Sequence, residues 1–282
     1  MHQRHYCPVT CLWVLENPEF SAWQKNEKNS SVLWLNSPPG TGKSVLCSRA
    51  IQLVKTSDPS AAVAYLFYQF DRPYTAVETL RLLSAQLIMI CLTRGDDLPE
   101  ELYHKSQLVR SFENLTQFFT ILIQQFKTVY LFLDGLDEED VKERWIETSV
   151  ALDFLLNLAT TQTNIVRLWC SSQDRPLIKE KLDAYTPTCY FQREMKEDVG
   201  RYLSSIKPNL QGWGIDDLSE VLQKGHAGSF LWASLMVNTL REEASSPLEV
   251  KKLITSNLPS TLDDYYRRIF ARFEKFQRPL VR

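Results

Sequence analysis

Hydrophobic positions in the first part of the chain fall into short, mostly unalternating runs: Val32–Asn36, Ala62–Phe70, Thr128–Asp134, Ile165–Ser171 and Thr188–Gln192. Each is rich in Val, Ile, Leu, Phe or Tyr, as expected of strands buried on both faces. The stretches between them carry helix signals. Asn17 followed by Pro18 reads as an N-cap and first helical residue, with Phe20 and Trp23 on one face. Thr75-x-x-Glu78 is a capping box opening a helix over Val77–Ile90. A further helical stretch covers Val45–Val54. Alternation of this kind implies a parallel sheet covered by helices.

After Gln192 the pattern changes to helical periodicity with turn punctuation. Helices are expected over Glu194–Ser205, Ile215–Lys224, Phe230–Glu243, Leu248–Asn257 and Leu262–Phe276, divided by Pro208, Gly225–Gly228, Pro247 and Pro259. The expected class is therefore α/β: a parallel sheet flanked by helices, followed by an all-helical C-terminal region. The expected boundaries are a linker and leading helix over 1–30, the sheet-bearing core over 31–193, and the helical region over 194–282.

Composition narrows the classes of function. A 44% hydrophobic fraction over 282 residues supports a sizeable core. The formal net charge of -2 gives no electrostatic footprint for nucleic acid or an anionic membrane. The C-terminal basic stretch (Arg267, Arg268, Arg272, Lys275, Arg278, Arg282) is interrupted by Asp263, Asp264 and Glu274 and reads as a solvated helix face. Of the six cysteines, Cys47, Cys91 and Cys170 lie in apolar periodic stretches and read as core thiols. No CxxC pair occurs, and Cys7 and Cys11 have no His partner at metal spacing. Reduced thiols and a cytoplasmic location are expected. Met1–His5 leads into no sustained apolar segment, so no signal peptide is expected. The runs Ala61–Phe67 and Leu87–Leu92 are far shorter than the roughly 20 residues that span a bilayer.

The chemistry begins at Ser37-Pro38-Pro39-Gly40-Thr41-Gly42-Lys43-Ser44, between an expected strand and an expected helix. Small residues there let backbone N–H groups turn inward onto a phosphate at the positive end of a helix. Pro39, Gly40, Thr41, Gly42, Lys43, Ser44 and Val45 are the expected nucleotide-binding residues. Lys43 would reach the β- and γ-phosphates, and the Ser44 hydroxyl would ligate Mg²⁺. One departure is plain: Ser37 stands where G-x-x-x-x-G-K-[ST] has its first glycine, which is expected to weaken the loop's fit.

A phosphate loop needs a hydrophobic strand ending in an acid for the magnesium. Val129-Tyr130-Leu131-Phe132-Leu133-Asp134 supplies it, about 90 residues downstream. Asp134 falls at the carboxyl end of a buried strand, where open α/β sheets place ligand groups. Asp137 and Glu138 follow one short turn later, placed to orient or deprotonate an attacking water. Glu139 and Asp140 read as surface acids. The strand Ile165–Cys170 runs into Ser171-Ser172-Gln173-Asp174-Arg175-Pro176, where Ser172 and Arg175 are candidate sensors of a γ-phosphate.

Taken together these motifs resemble the NACHT branch of the signal-transducing P-loop ATPases, in its fungal and nephrocystin-like form. Leu33-Trp34-Leu35 leading into P-G-T-G-K-S resembles its opening strand and phosphate loop, and Leu133-Asp134-Gly135-Leu136-Asp137-Glu138 its D-[GA]-L-D-E motif. Trp169-Cys170-Ser171-Ser172 with Arg175-Pro176 is similar to its S-S-R-P strand, with Gln173 and Asp174 displacing the arginine. Gly228-Ser229-Phe230-Leu231-Trp232-Ala233, and Leu258-Pro259 followed by Tyr265 or Tyr266, resemble its helical region, and Trp13 with Pro18-Glu19-Phe20-x-x-Trp23 its leading helix.

The resemblance implies a slow ATP/ADP-operated switch, closed with ADP and self-associating with ATP, with weak hydrolysis that resets it. His226 is the histidine candidate for a nucleotide contact in the helical part. The resemblance also implies separate effector or repeat proteins as partners, or a fragment of a longer chain, because about 30 residues precede the loop. No adenine- or guanine-specific motif is present, so ATP rests on the resemblance and GTP fits the loop equally. The alternative from another class is a non-switching or degenerate nucleotide-binding scaffold, favoured by Ser37 and the displaced Arg175. A conventional ATP-driven remodeller would need an arginine finger that this sequence does not distinguish from surface arginine.

Overall fold

The computed structural model describes residues 10–27, 31–100, 102, 111–139, 142–162, 165–184, 192–206, 229–243, 246, 248–249, 252, 259 and 262–276. By contacts the chain divides into two units. One comprises 1–5, 12–38 and 43–191; the other comprises 6–11, 39–42 and 192–282. The labels below count the described elements.

The first unit holds four strands, β1 (Val32–Asn36), β2 (Ala62–Phe67), β3 (Val129–Asp134) and β4 (Val166–Ser172). They form one parallel sheet in the order β1-β4-β3-β2. Every residue of β1, β3 and β4 is buried, as their unalternating apolar sequences require. The expected strand over Ala62–Phe70 stops at Phe67. The chain turns there through an isolated bridge between Gln69 and Arg72. The expected strand over Thr188–Gln192 lies outside the described residues, apart from Gln192, which opens a helix.

The helices of this unit are α1 (Pro18–Lys25), α2 (Lys43–Ser57), α3 (Ala76–Arg94), α4 (Phe112–Ile123), α5 (Lys142–Thr161) and α6 (Pro176–Leu182). Both capping signals read from sequence are present. Asn17 accepts from the Phe20 N–H at 2.9 Å, and Thr75 and Glu78 form the reciprocal capping box. Helix α3 is long and apolar enough to cross a membrane by length and composition alone. Here its Leu80, Leu83, Leu87 and Cys91 are buried in the core.

Successive side chains of a strand point to opposite faces. One face of the sheet carries Val32, Trp34, Ala62, Ala64, Leu66, Leu131, Leu133, Leu168 and Cys170, packed with residues of α3, α4 and α5. On the other face Tyr130, Phe132 and Trp169 meet Trp23 of α1 edge-on, at ring centroids of 5.4, 5.7 and 5.9 Å.

In the second unit, α7 (Gln192–Ile206), α8 (Phe230–Glu243) and α9 (Leu262–Phe276) are described. Val199 and Leu203 pack with Trp232, Ala233, Met236, Val237 and Leu240, joined by Leu262 and Tyr265. The Trp232 indole donates to the Pro259 carbonyl at 3.1 Å. Asp198, buried, accepts from the Cys11 N–H and from Arg201, both at 2.7 Å. The expected helix Ile215–Lys224, most of Leu248–Asn257, and His226 lie outside the described residues.

Candidate functional site

The phosphate-loop segment leaves the carboxyl end of β1 and enters α2 at Lys43. Ser37 does not need the glycine it replaces. Its φ is not positive, and its N–H donates to the Ser172 carbonyl at 3.3 Å, extending the β1–β4 ladder by one rung. Gly40 and Gly42 do need theirs, with φ of 75° and 95°. Both also lie within the second unit against the start of α8. A Cβ on Gly40 would stand 2.8 Å from Ser229 Oγ and 2.9 Å from Leu231 Cβ, and one on Gly42 3.1 Å from the Phe230 ring. Leu231 N–H donates to the Gly40 carbonyl at 3.2 Å. Pro39 is exposed, Thr41 buried and Val45 half-buried.

In the first unit the ammonium of Lys43 donates to the carbonyls of Ser37, at 2.8 Å, and Pro38, at 3.0 Å. Burial lowers its pKa, opposed by the charges of Asp137, Asp134 and Glu138 around it. Asp134 ends β3 at 3% exposure. Burial raises its pKa; the hydrogen bond from the Ser171 hydroxyl, the nearby Ser44 hydroxyl and the Lys43 charge oppose the rise. The hydroxyl and carboxylate expected to hold Mg²⁺ thus lie close to each other. This donor pair suits an ion that takes few protein oxygens and fills its octahedron with phosphate and water. Among the described residues no group of three or more His, Cys, Asp or Glu forms a metal cage of another kind.

The D-G-L-D-E turn follows from local geometry. Gly135 has φ 77°, and a Cβ there would lie 3.2 Å from the Tyr68 carbonyl. Its N–H donates to the Ser171 carbonyl at 3.0 Å. The next residues form a 3₁₀ turn, Leu136–Glu139, in which the Glu138 N–H donates to the Gly135 carbonyl at 2.9 Å. Asp137 Oδ1 accepts from the Gln173 N–H at 3.0 Å, which orients its carboxylate from the neighbouring strand end. Burial raises the Glu138 pKa, and the Asp137 charge adds to the rise.

Two sequence expectations meet a different geometry. Glu139 is not a surface acid: it is fully buried, and neither carboxylate oxygen has a hydrogen-bond partner. Its place at the end of a 3₁₀ turn leading into α5 turns it inward with Leu136. Ser172, the candidate sensor, lies on the face of Trp34 and Cys170, opposite Asp134, and its hydroxyl accepts from the Trp34 indole at 2.9 Å. It is Ser171 that stands beside Asp134 in register. Arg175 is exposed at the start of α6, 3.5 Å from Gln173 Oε1.

The buried Glu139 yields a pH-dependent prediction. Burial raises its pKa, Arg144 opposing and Glu138 adding. The folded chain therefore holds this proton more tightly than the unfolded chain, whose glutamate titrates near about 4.3. Below that pH the group is protonated in both states and adds no ionisation cost. As pH rises towards the folded pKa, stability falls. Glu139→Gln is expected to gain about 1–2 kcal/mol at pH 7.5, with the gain shrinking towards pH 5. Denaturant unfolding at both pH values checks this; an equal gain at both rules out the ionisation as its source.

A parallel sheet, a G-T-G-K-S loop between strand and helix, and an acid at the end of the third strand define a nucleotide-binding protein of the P-loop NTPase kind. Residues 9–173 match the family described as nephrocystin 3, N-terminal, and the chain belongs to that family. Among curated proteins it is 24% identical over 285 aligned positions to the vegetative incompatibility protein HET-E-1 of Podospora anserina, covering 92% of this chain. The chain spans about a fifth of that relative's length, the match covering 20% of it. Among solved structures it shares the fold of the ORC2 protein of Aeropyrum pernix, solved in ADPNP and ADP complexes. That match has a TM-score of 0.55 at 15% identity, covering 92% of this chain and 71% of that one.

Proposed function

We propose that this chain is a nucleotide-operated switch. It binds ADP and ATP with Mg²⁺ at the loop ending in Lys43 and Ser44, hydrolyses ATP slowly, and self-associates in the ATP-bound form. The observation that carries the binding half is the convergence of the Ser44 hydroxyl, the Asp134 carboxylate and the Lys43 ammonium at the carboxyl end of the sheet. The fold relative solved with ADPNP and ADP supports an adenine nucleotide. The resemblance to switch ATPases supports the assembly half.

In this reading Lys43 exchanges the carbonyls of Ser37 and Pro38 for phosphate oxygens. Ser44 and Asp134 would hold a Mg²⁺ ion, which would neutralise charge developing on the phosphates. Glu138, with its pKa raised by partial burial, is the better base for an attacking water. Asp137, held by the Gln173 N–H, orients that water. A pair of acids placed to activate a water accords with slow hydrolysis.

The test is binding of fluorescent ADP and ATP with Mg²⁺, with light scattering on the same samples. Binding of both, with only ATP raising the mass, is the expected result. Binding of both without a change in mass would end the assembly claim and leave the site. Binding of neither to folded protein would leave the scaffold reading in its place.

A further inference from the structure

We infer that Ser171 is the positioning residue of Asp134, clamping it from the neighbouring strand in the orientation that the Mg²⁺–nucleotide complex requires; this rests on the binding reading above. Two hydrogen bonds from one residue make the clamp. The Ser171 hydroxyl donates to Asp134 Oδ1, and the Ser171 carbonyl accepts from the N–H of Gly135 at 3.0 Å. Side chain and backbone of Ser171 therefore fix both the carboxylate and the turn that follows it.

The placement belongs to the sheet rather than to a loop. Asp134 and Ser171 are register partners in the parallel β3–β4 ladder, and Ser171 is fully buried. Phe132 precedes Asp134 by two residues and Trp169 precedes Ser171 by two, and both rings meet Trp23 on the same face. The pleat thus delivers the hydroxyl and the carboxylate to one side. Ser172, one residue on, is delivered to the other side and is engaged by Trp34.

A buried carboxylate without that donor would be free to turn about its Cβ–Cγ bond, with only the nearby Ser44 hydroxyl and the Lys43 charge to orient it, groups that the nucleotide complex itself needs. With Oδ1 held by Ser171, the Ser44 hydroxyl would be free to ligate an ion without changing the carboxylate's orientation. Ser171 thereby separates the group that aims the acid from the group that ligates. Its loss should weaken the response to Mg²⁺ while sparing nucleotide contacts that do not involve the ion.

The experiment uses the full chain as wild type, Ser171→Ala and Ser171→Thr. Fluorescent ADP binding is followed against Mg²⁺ concentration and, separately, in EDTA. The expected result is a Mg²⁺ midpoint raised about tenfold or more in Ser171→Ala, unchanged binding in EDTA, and recovery towards wild type in Ser171→Thr, which keeps the hydroxyl. An unshifted midpoint in Ser171→Ala overturns the inference, as does an equal loss with and without Mg²⁺, which would mark a merely structural role. If the alanine variant does not fold, Ser171→Cys carries the same comparison, because a thiol fills the site but is a weak donor. Wild-type binding that ignores Mg²⁺ overturns the parent reading, and the inference with it.

Discussion

Lys43→Ala is expected to lower Mg²⁺–nucleotide affinity by at least about 30-fold, with little change in the melting temperature of the nucleotide-free protein. The ammonium is half-buried and faces Asp134, Asp137 and Glu138. Its two hydrogen bonds end on carbonyls of its own loop, at Ser37 and Pro38, so the alanine variant loses no contact to a distant element. What it loses is the positive charge that offsets three carboxylates as a polyphosphate approaches. Like charges then confront each other in a low-dielectric setting, which is where truncating one partner costs most. Lys43→Arg is expected to restore little, because a planar guanidinium does not replace a compact ammonium within a tight loop. Isothermal titration with ADP and ATP checks both variants; wild-type affinity in Lys43→Ala would place the nucleotide elsewhere on the molecule.

That loop was legible in the sequence for a physical reason: its parts are local. A strand end, small residues and a lysine within eight positions specify a backbone turn without help from distant elements. The same holds for the Asn17 cap and the Thr75–Glu78 box, and for Asp134 at the end of an unbroken apolar run. Three features depended on register or coverage instead. Choosing between Ser171 and Ser172 requires knowing which face of β4 meets β3's acid, and only the pairing of Asp134 with Ser171 decides it. Burial of Glu139 depends on the 3₁₀ turn that leads into α5, and six consecutive positions from Asp134 to Glu139 carry four acids that read alike in sequence. The demand for glycine at 40 and 42 comes partly from Ser229, Phe230 and Leu231, nearly 190 residues further on. Helices α4 and α5 fall between the strands without the start signals that marked α1 and α3 and were not named from sequence, although Ser111 does cap α4 through the Asn114 N–H.

Trp23→Ala is expected to cost about 3–5 kcal/mol, a drop of about 10 °C in the melting temperature of a domain this size. Helix α1 has only eight residues, far below the length at which a helix holds in water on its own. Its caps fix where it starts and ends; its attachment comes from Phe20 and Trp23, both almost fully buried. Trp23 alone meets Phe20, Tyr130, Phe132 and Trp169, and its indole donates to the Leu168 carbonyl at 3.1 Å. Truncation leaves a cavity among four rings and removes one donor to a buried carbonyl. The consequence reaches the site, because Phe132 and Trp169 share their face with Asp134 and Ser171, two residues further along each strand. Trp23→Phe keeps an aromatic packing partner and loses the hydrogen bond, so it should lose about 1–2 kcal/mol and keep nucleotide binding. Thermal unfolding of the two variants separates packing from hydrogen bonding. Equal losses would mean that the indole N–H, not the ring, fastens α1 to the sheet, and the aromatic cluster would then be filler rather than the support of the strand that carries the acid.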